Sequence, residues 1–406
     1  MTGTSFYSLE KIPDGRSGGT TQAETRVYNE RLVVALVRRH GQLSKSDLAR
    51  LTSLAPQTIT TIVNRAADNH LLLRREPLRG RLGQPSVPYA LNPDAAFSFG
   101  LKVDHRSADI ALVNFVGDVI AFERVEFDYP TPNEIMAFAK GAVGRMRRKH
   151  KAIPNERIAG LGIASPFHQW NLAEDADAPK GRLAAWSQID IRAELDRAFD
   201  WPVYLFNDAT VCAAGELMFG AGSTCADFVY AYVGYFLGGG LVLDHHLFPG
   251  RSRLAGALGE IPVHIASKRA DRMAPLRLVA SLHSLSGKLP EGAGRRLWSS
   301  PDDWGDLGGV LTEWIDEVAD GLAQATRGAV ALLDVDNIVI DGAIPPEVRK
   351  EIAKATRRKL ARVLGDRPEP FSVLEGKFGH LAPAIGGASI PLLVKYSNDK
   401  ESLFKD

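Results

Sequence analysis

Residues 97–127 read FSFGLKVDHRSADIALVNFVGDVIAFERVEF, three apolar runs interrupted at DHRS and again at Gly117-Asp118. FSFGLKVD, ADIALVNF and DVIAFERVEF each have the length and composition of a strand. The Gly-Asp pair marks a turn, so the stretch predicts a three-stranded antiparallel meander. A helical pattern follows near residues 133–150, and then another strand, AGLGIAS.

The same order recurs further on. FVYAYVGYF, GGGLVLDHH and a short return predict a second meander, followed by helical segments and the strand NIVIDG at 337–342. Two lobes with the same strand-rich opening constitute an internal duplication. Between the copies lies FNDATVCAAGE, residues 206–216, where an apolar approach ends in Asn207-Asp208 and a small-residue helix begins. An amide and a carboxylate at a strand end are placed to hold a hydroxyl. The same carboxylate has the chemistry to take that hydroxyl's proton.

The 406 residues exceed one ordinary core and predict several domains. Hydrophobic content of 45% with 24% charged residues describes a globular, water-soluble chain. Net charge is only +1, but residues 1–95 hold 13 Lys and Arg against 8 Asp and Glu, and the remainder holds 36 against 40. A basic head on a mildly acidic body suits a polyanionic partner. Two cysteines, Cys212 and Cys225, fit a reducing cytosol, and no apolar run is long enough to span a bilayer. A cytoplasmic, nucleoid-associated protein with no membrane partner is expected.

From Asn29 to Asp94 the pattern is that of three helices and a wing. Leu32, Val33, Leu36 and Val37 recur at helical spacing up to Gly41. Ser44 and Asp47 form a candidate capping box before Leu48, Ala49 and Leu51. A turn at Thr52-Ser53-Leu54 leads to Pro56 and a third helix with an Ile59/Ile62/Val63 stripe. LLLRREPLRGRLGQPSVPYAL then reads as two strands with a basic tip. This is a winged helix-turn-helix, whose second helix enters the major groove. Ser44, Gln57, Thr58, Thr60, Thr61 and Arg65 are the candidate contacts there, with Arg79 and Arg81 on the wing. The expected division is a disordered lead-in over 1–25, this head over 26–93, a first α/β lobe over 94–206 and a second over 207–406. The C-terminal helix is drawn back towards the first lobe.

The head followed by a duplicated body resembles the transcription-factor branch of the ROK family (repressors, open reading frames and sugar kinases). The carriers are LSKSDLARLTSLAPQTITTIV, GRLGQPSVPYALNP, LGIASP, AAWSQIDIRAELDRAFDWPVYLFNDATVCAAGE, GGG at 238–240, GALGEIPV at 256–263 and NIVIDG. The resemblance implies an actin/hexokinase-like (ribonuclease H-like) two-lobe α/β body with a ligand cleft between the lobes. It also implies sugar contacts at Asn207, Asp208 and Glu260.

Departures from the family pattern are equally specific. Active kinases of the family resemble DIGGT where this chain has Val103-Asp104-His105-Arg106-Ser107. Their second phosphate loop is similar to GTGIGGG, against GYFLGGG here, and their IGG turn is replaced by Asp341-Gly342. Phosphates need bare backbone amides, and bulky residues deny them access. No nucleotide cofactor and no catalytic residue is therefore expected, with Asp208 acting as a helix cap that also binds a hydroxyl. The family's zinc loop is absent. Residues 264–281 offer only His264, so no metal is expected, and Met273, Pro275, Leu276 and Leu278 are left to hold the segment by packing.

Arg277 stands where the resemblance puts a sugar-binding Glu. Facing the cleft it would favour an acidic ligand; turned outward it would be an ordinary surface cation. His168, with Gln169, is a further candidate donor. The function predicted is a sugar-responsive repressor that binds palindromic operator DNA as a homodimer or a dimer of dimers and takes a sugar or sugar derivative as effector. The alternatives are a sugar kinase carrying a regulatory head, and a body that docks a partner protein.

Overall fold

The structure, a computed structural model, describes residues 21–77, 86–166, 183–267, 270–365 and 371–398. The head comprises α1 (Gln22–His40), β1 (Gln42–Ser44), α2 (Lys45–Thr52), α3 (Pro56–Asp68), β2 (Leu72–Arg74) and β3 (Pro88–Leu91). α1 begins inside the stretch expected to be a lead-in. Thr21 and Glu24 form a reciprocal capping box that starts the helix early. Gly41 closes it at φ 75°. Ser44 and Asp47 box the start of α2, Ser53 turns the chain in the left-handed region, and Pro56 opens α3. Val33, Val37, Leu48, Ile59 and Val63 are fully buried, whereas Leu51, expected inward, is exposed. β3 lies between β1 and β2, antiparallel to both.

The first lobe is built on β4 (Phe97–Val103), β5 (Ser107–Asn114), β6 (Val119–Glu126), α4 (Pro132–Lys149), β7 (Ile158–Ala164), α5 (Ile191–Asp196) and β8 (Val203–Phe206). Its sheet order is β6-β5-β4-β7-β8, with β4, β5 and β6 antiparallel and β7 and β8 parallel to β4. Asn114 and Asp118 close the Gly117 turn through side-chain bonds of 2.9–3.0 Å.

The second lobe contains α6 (Asp208–Phe219), β9 (Phe228–Val233), β10 (Leu237–Leu243), β11 (His246–Leu247), β12 (Pro262–Ser267), β13 (Ala270–Pro275), α7 (Leu282–Ser286), α8 (Arg296–Ser299), α9 (Gly308–Leu333), β14 (Asn337–Gly342), α10 (Pro346–Leu364), β15 (Ser372–Glu375) and α11 (Ala382–Tyr396). Its main sheet runs β11-β10-β9-β14-β15, with a three-strand antiparallel meander and two parallel additions. Strand for strand this repeats the first sheet, as the sequence duplication requires.

Two helices fill the space between the sheets. α11 lies against β4 and β7 so closely that a Cβ on Gly100 or Gly162 would sit 1.8 Å from Ala384 O or 1.9 Å from Gly387 O. α6 packs on β10 and on α11, where a Cβ on Gly386 would meet Val211 O at 2.1 Å. Backbone-on-backbone contact of this kind is open only to glycine. The C-terminal helix is therefore seated on the first lobe's sheet.

Candidate functional site

The two lobes face each other across a cleft of about 260 Å³. The turns that end β4 and β9 line it, together with the first turn of α6 and the segment around Glu260. Asn207, Asp208, Glu260 and Arg277, four candidates spread over 71 positions of sequence, all border this one space.

α6 starts here, and its cap differs from expectation. Asn207 is the N-cap, its Oδ1 accepting from Ala209 N at 3.2 Å and Thr210 N at 3.4 Å. Asp208 is the first helical residue, with Oδ1 2.9 Å from Ala209 N. Asn207 has the non-helical backbone a cap needs (φ −58°, ψ 139°), so its amide takes the role the sequence had given to the carboxylate. Burial, with the Asp104 charge beside it, pushes the Asp208 carboxyl up to about 6.

Lys102 and Asp104, which the sequence had not singled out as site residues, form the opposite wall. Lys102 Nζ is 3.1 Å from Ser107 Oγ, 3.3 Å from Asp104 Oδ2 and 3.6 Å from Asp109 Oδ2. Burial opposes charge on Asp104, but Lys102 and His105 outweigh it and hold the carboxyl below the usual range. The legible signal was a lysine inside an otherwise apolar strand, FSFGLKV. Thr210 and Tyr232 also line the cleft.

Arg277 points into the cleft, 16% exposed, with Nε 3.0 Å from Glu260 Oε1. Its charge is matched by a carboxylate of the same wall. The ground for expecting an acidic ligand at this position is thereby removed.

Side chains crowd the two turns where the resemblance puts phosphate loops. His105 is buried and stacks on Tyr235 with ring centroids 5.3 Å apart, while Phe236 meets it edge-on at 5.9 Å. The Arg106 guanidinium lies 4.2 Å from the Tyr129 ring, 4.9 Å from Trp298 and 5.3 Å from Tyr235, and Nη2 donates to Tyr129 Oη at 2.7 Å. Arg124 Nη2 donates to Trp298 O at 2.6 Å, so α8 of the second lobe is held onto β6 of the first. At the turn where the resemblance puts a third nucleotide contact, Asp341 is buried and fully engaged. It accepts from Gly342 N at 2.9 Å, Gly379 N at 3.0 Å and Phe378 N at 3.2 Å, and pairs with Arg349 at 3.0 Å. The residues present do not fit a nucleotide phosphate chain, because side chains occupy the approach that backbone amides would need.

The segment where the resemblance puts a zinc loop is a hairpin. β12 and β13 pair from Pro262↔Pro275 to Ser267↔Ala270, and Gln324 of α9 clamps His264 through N at 2.8 Å and O at 3.0 Å. Main-chain bonding does what packing was expected to do. Leu276 is buried, but Met273 is 59% exposed and supports nothing. A tetrahedral zinc needs about four nitrogen or sulfur ligands. This hairpin brings one His, and among the described residues no group of three His, Cys, Asp or Glu could hold a metal.

On the head, Gln57, Thr58, Thr60 and Thr61 are exposed along α3, opposite the buried Ile59, Ile62 and Val63. Ser44 is buried, its hydroxyl 3.1 Å from Asp47 N and 2.6 Å from Asp47 Oδ2, so it serves the fold. Arg65 pairs with Glu30 of α1 and ties two head helices together. Arg79, Arg81, His168 and Gln169 lie outside the described residues.

Fold and cleft together define a two-lobed α/β protein of the actin/hexokinase-like class with a small helical head. Residues 99–275 match the model described as the ROK family. That match covers under half of the chain, within its two-lobed body. The uncharacterized protein y4fQ of Sinorhizobium fredii is 24% identical over 369 residues, covering 89% of this chain and 90% of that protein. A xylose repressor of Caldicellulosiruptor bescii is 24% identical over 238 residues, 58% of this chain and 59% of the repressor. The match thus spans under two thirds of the repressor's length. Among solved structures, a ROK family transcriptional regulator described as a homolog of the E. coli MLC protein superposes with TM-score 0.62 at 19% identity. It covers 93% of this chain and 99% of its own. A ROK family glucokinase from Streptomyces griseus, solved with glucose and AMPPNP, gives TM-score 0.52 at 21% identity over 73% and 99%. Among the described residues no helix is long and apolar enough to cross a membrane.

Proposed function

We propose that the chain is a sugar-responsive transcriptional repressor whose body has kept the sugar half of a kinase cleft and closed the nucleotide half. The observation that carries this reading is the His105–Arg106–Tyr235–Trp298 cluster, which occupies the approach to both phosphate loops. A named repressor among the relatives and a regulator that superposes on nearly the whole chain, head included, support the same reading. The head is a winged helix-turn-helix that reads duplex DNA through Gln57, Thr58, Thr60 and Thr61, with Arg79 and Arg81 reaching phosphate or the minor groove. A cytoplasmic homodimer would present two heads to a palindromic operator.

The effector is a neutral polyhydroxylated sugar. Asn207, Asp208 and Glu260 supply hydroxyl partners, and the Arg277–Glu260 pair leaves no uncompensated cation for an acid group. If the sugar releases DNA, linkage requires operator DNA to weaken sugar binding by the same factor.

Selection from a random duplex pool with the full chain tests the DNA half. Enrichment of a palindrome with half-sites one or two helical turns apart is expected, and no enrichment overturns it. One observation favours the kinase alternative: Asp208, at about 6, is poised as a base in the cleft that Gly238 and Gly239 also line. Titration with magnesium and AMPPNP separates the two readings. Saturable binding, or turnover with any of a panel of hexoses and pentoses, replaces the repressor reading with the kinase.

A further inference from the structure

Two crevices meet at Arg38, between α1 of the head and the body. The inner one, about 70 Å³, is bordered by Arg38, Arg39 and His245 and by the ends of α6 and α11. The outer one, about 340 Å³, opens to solvent past Arg38 and Arg75. Ser223 borders both, and no Asp or Glu lines either among the described residues. Neither crevice shares a residue with the interlobe cleft.

The Arg38 guanidinium sits 4.6 Å from the Phe115 ring of the first lobe and 5.5 Å from the Phe219 ring of the second. Nη1 donates to Phe115 O at 2.6 Å, while Nη2 is buried and has no hydrogen-bond partner among the described residues. No carboxylate pairs with it there. Burial pushes this guanidinium down to about 9, the mark of a cation held without a counter-ion. His245, with φ 58°, bonds the Gly222 backbone and leaves Nδ1 buried and unpartnered. Asp244 lies near Arg39 but does not border the crevice.

A buried guanidinium N–H and a buried ring nitrogen, both unmatched and both on residues that border one crevice, call for a partner. The inner volume holds a few waters or one tetrahedral oxyanion. We propose that this junction binds a phosphate-sized oxyanion, either free or as the terminal group of a phosphate monoester reaching in through the outer crevice. Arg38 donates to it through Nη2, and His245, whose other ring nitrogen is engaged by the Gly222 backbone, donates from Nδ1 on taking up a proton with the anion, with Arg39 at the rim. An anion there bridges α1 to the β10–β11 turn of the second lobe, so it fixes the head on the body independently of what fills the interlobe cleft.

The test is a calorimetric titration of the full chain, in phosphate-free buffer, with inorganic phosphate and then with glycerol 3-phosphate. One saturable site is expected. Binding of both assigns the natural ligand to the monoesters, and binding of phosphate alone assigns it to the free ion. Arg38→Gln should weaken binding at least about tenfold. Ser223→Asp, which supplies an internal counter-ion from an exposed position, should do the same, and it decides the matter if Arg38→Gln fails to fold. Arg277→Gln should leave the affinity unchanged. The proposal is overturned by absence of saturable binding, by binding that survives Ser223→Asp, or by equal weakening in Arg277→Gln.

Discussion

The two lobes have one strand order and two ways of meeting their helices. In the first sheet, Gly100 and Gly162 bring strand backbone against the backbone of α11, at 1.8 Å and 1.9 Å from an imagined Cβ. In the second, Gly238 and Gly240 face Ala209 and Ala213 of α6, where an imagined Cβ would stand 2.6 Å from another Cβ. The loops between equivalent strands diverge further. The first turn carries Asp104-His105-Arg106 and the second Gly234-Tyr235-Phe236, and the two interlock across the cleft. Duplication preserved the frame, which is set by main-chain pairing, and left the turns free to change. Turns decide chemistry, so a shared frame says little about shared activity.

The sharpest way to break this comparison is at the glycines. Gly100→Val should cost about 4 kcal/mol or prevent folding, because main-chain atoms of α11 cannot step aside. Gly240→Val should cost less, since α6 meets it with an alanine methyl, although Ala209 O is also close at 3.0 Å. Chemical denaturation of the two variants ranks them, and the reverse order would show that α11 yields more readily than α6.

Next in size is Asp208. Its carboxyl is ordinarily at 3.8 and stands at about 6 here, so the folded chain keeps a proton that the unfolded chain has lost. Wild-type stability therefore falls as pH rises from about 4 to about 6, and the penalty stays constant above that. Asp208→Asn should lack this fall and gain about 2 kcal/mol at about pH 8, after discounting for its partial exposure, and nothing below about pH 4. Thermal melts across pH measure the difference. The same substitution should weaken sugar binding, so a variant more stable yet unresponsive is the combined expectation.

Arg106→Ala takes the cation out of the ring cluster and should cost about 1 to 2 kcal/mol. Magnesium–AMPPNP binding should not appear in this variant, because His105, Tyr235 and Phe236 remain in place. Smallest is Arg145→Ala, which removes an exposed pair with Glu123 on the outer face of the first lobe. A change below about 0.5 kcal/mol is expected in denaturation midpoints.

The meanders were legible because each strand is a continuous apolar run ended by polar turn residues. α2 and α3 were legible from Ser44, Asp47 and Pro56, local signals that act within one turn of helix. What escaped depends on distant partners. The β12–β13 hairpin has a mixed sequence, and Gln324, far along the chain, fixes it. Arg65 has the look of a phosphate contact in sequence, but Glu30 claims it. The exchange of roles between Asn207 and Asp208 turns on one backbone conformation, which neither residue type dictates.

α6 has a consequence of its own. Its 12 residues make a rod of about 18 Å, with one tip at Asn207 in the cleft and the other at Phe219 beneath the Arg38 guanidinium. A continuous ladder of main-chain bonds neither stretches nor compresses appreciably over that distance. Whatever leans on its first turn is felt as tilt at the far tip, where the basic domain has its footing.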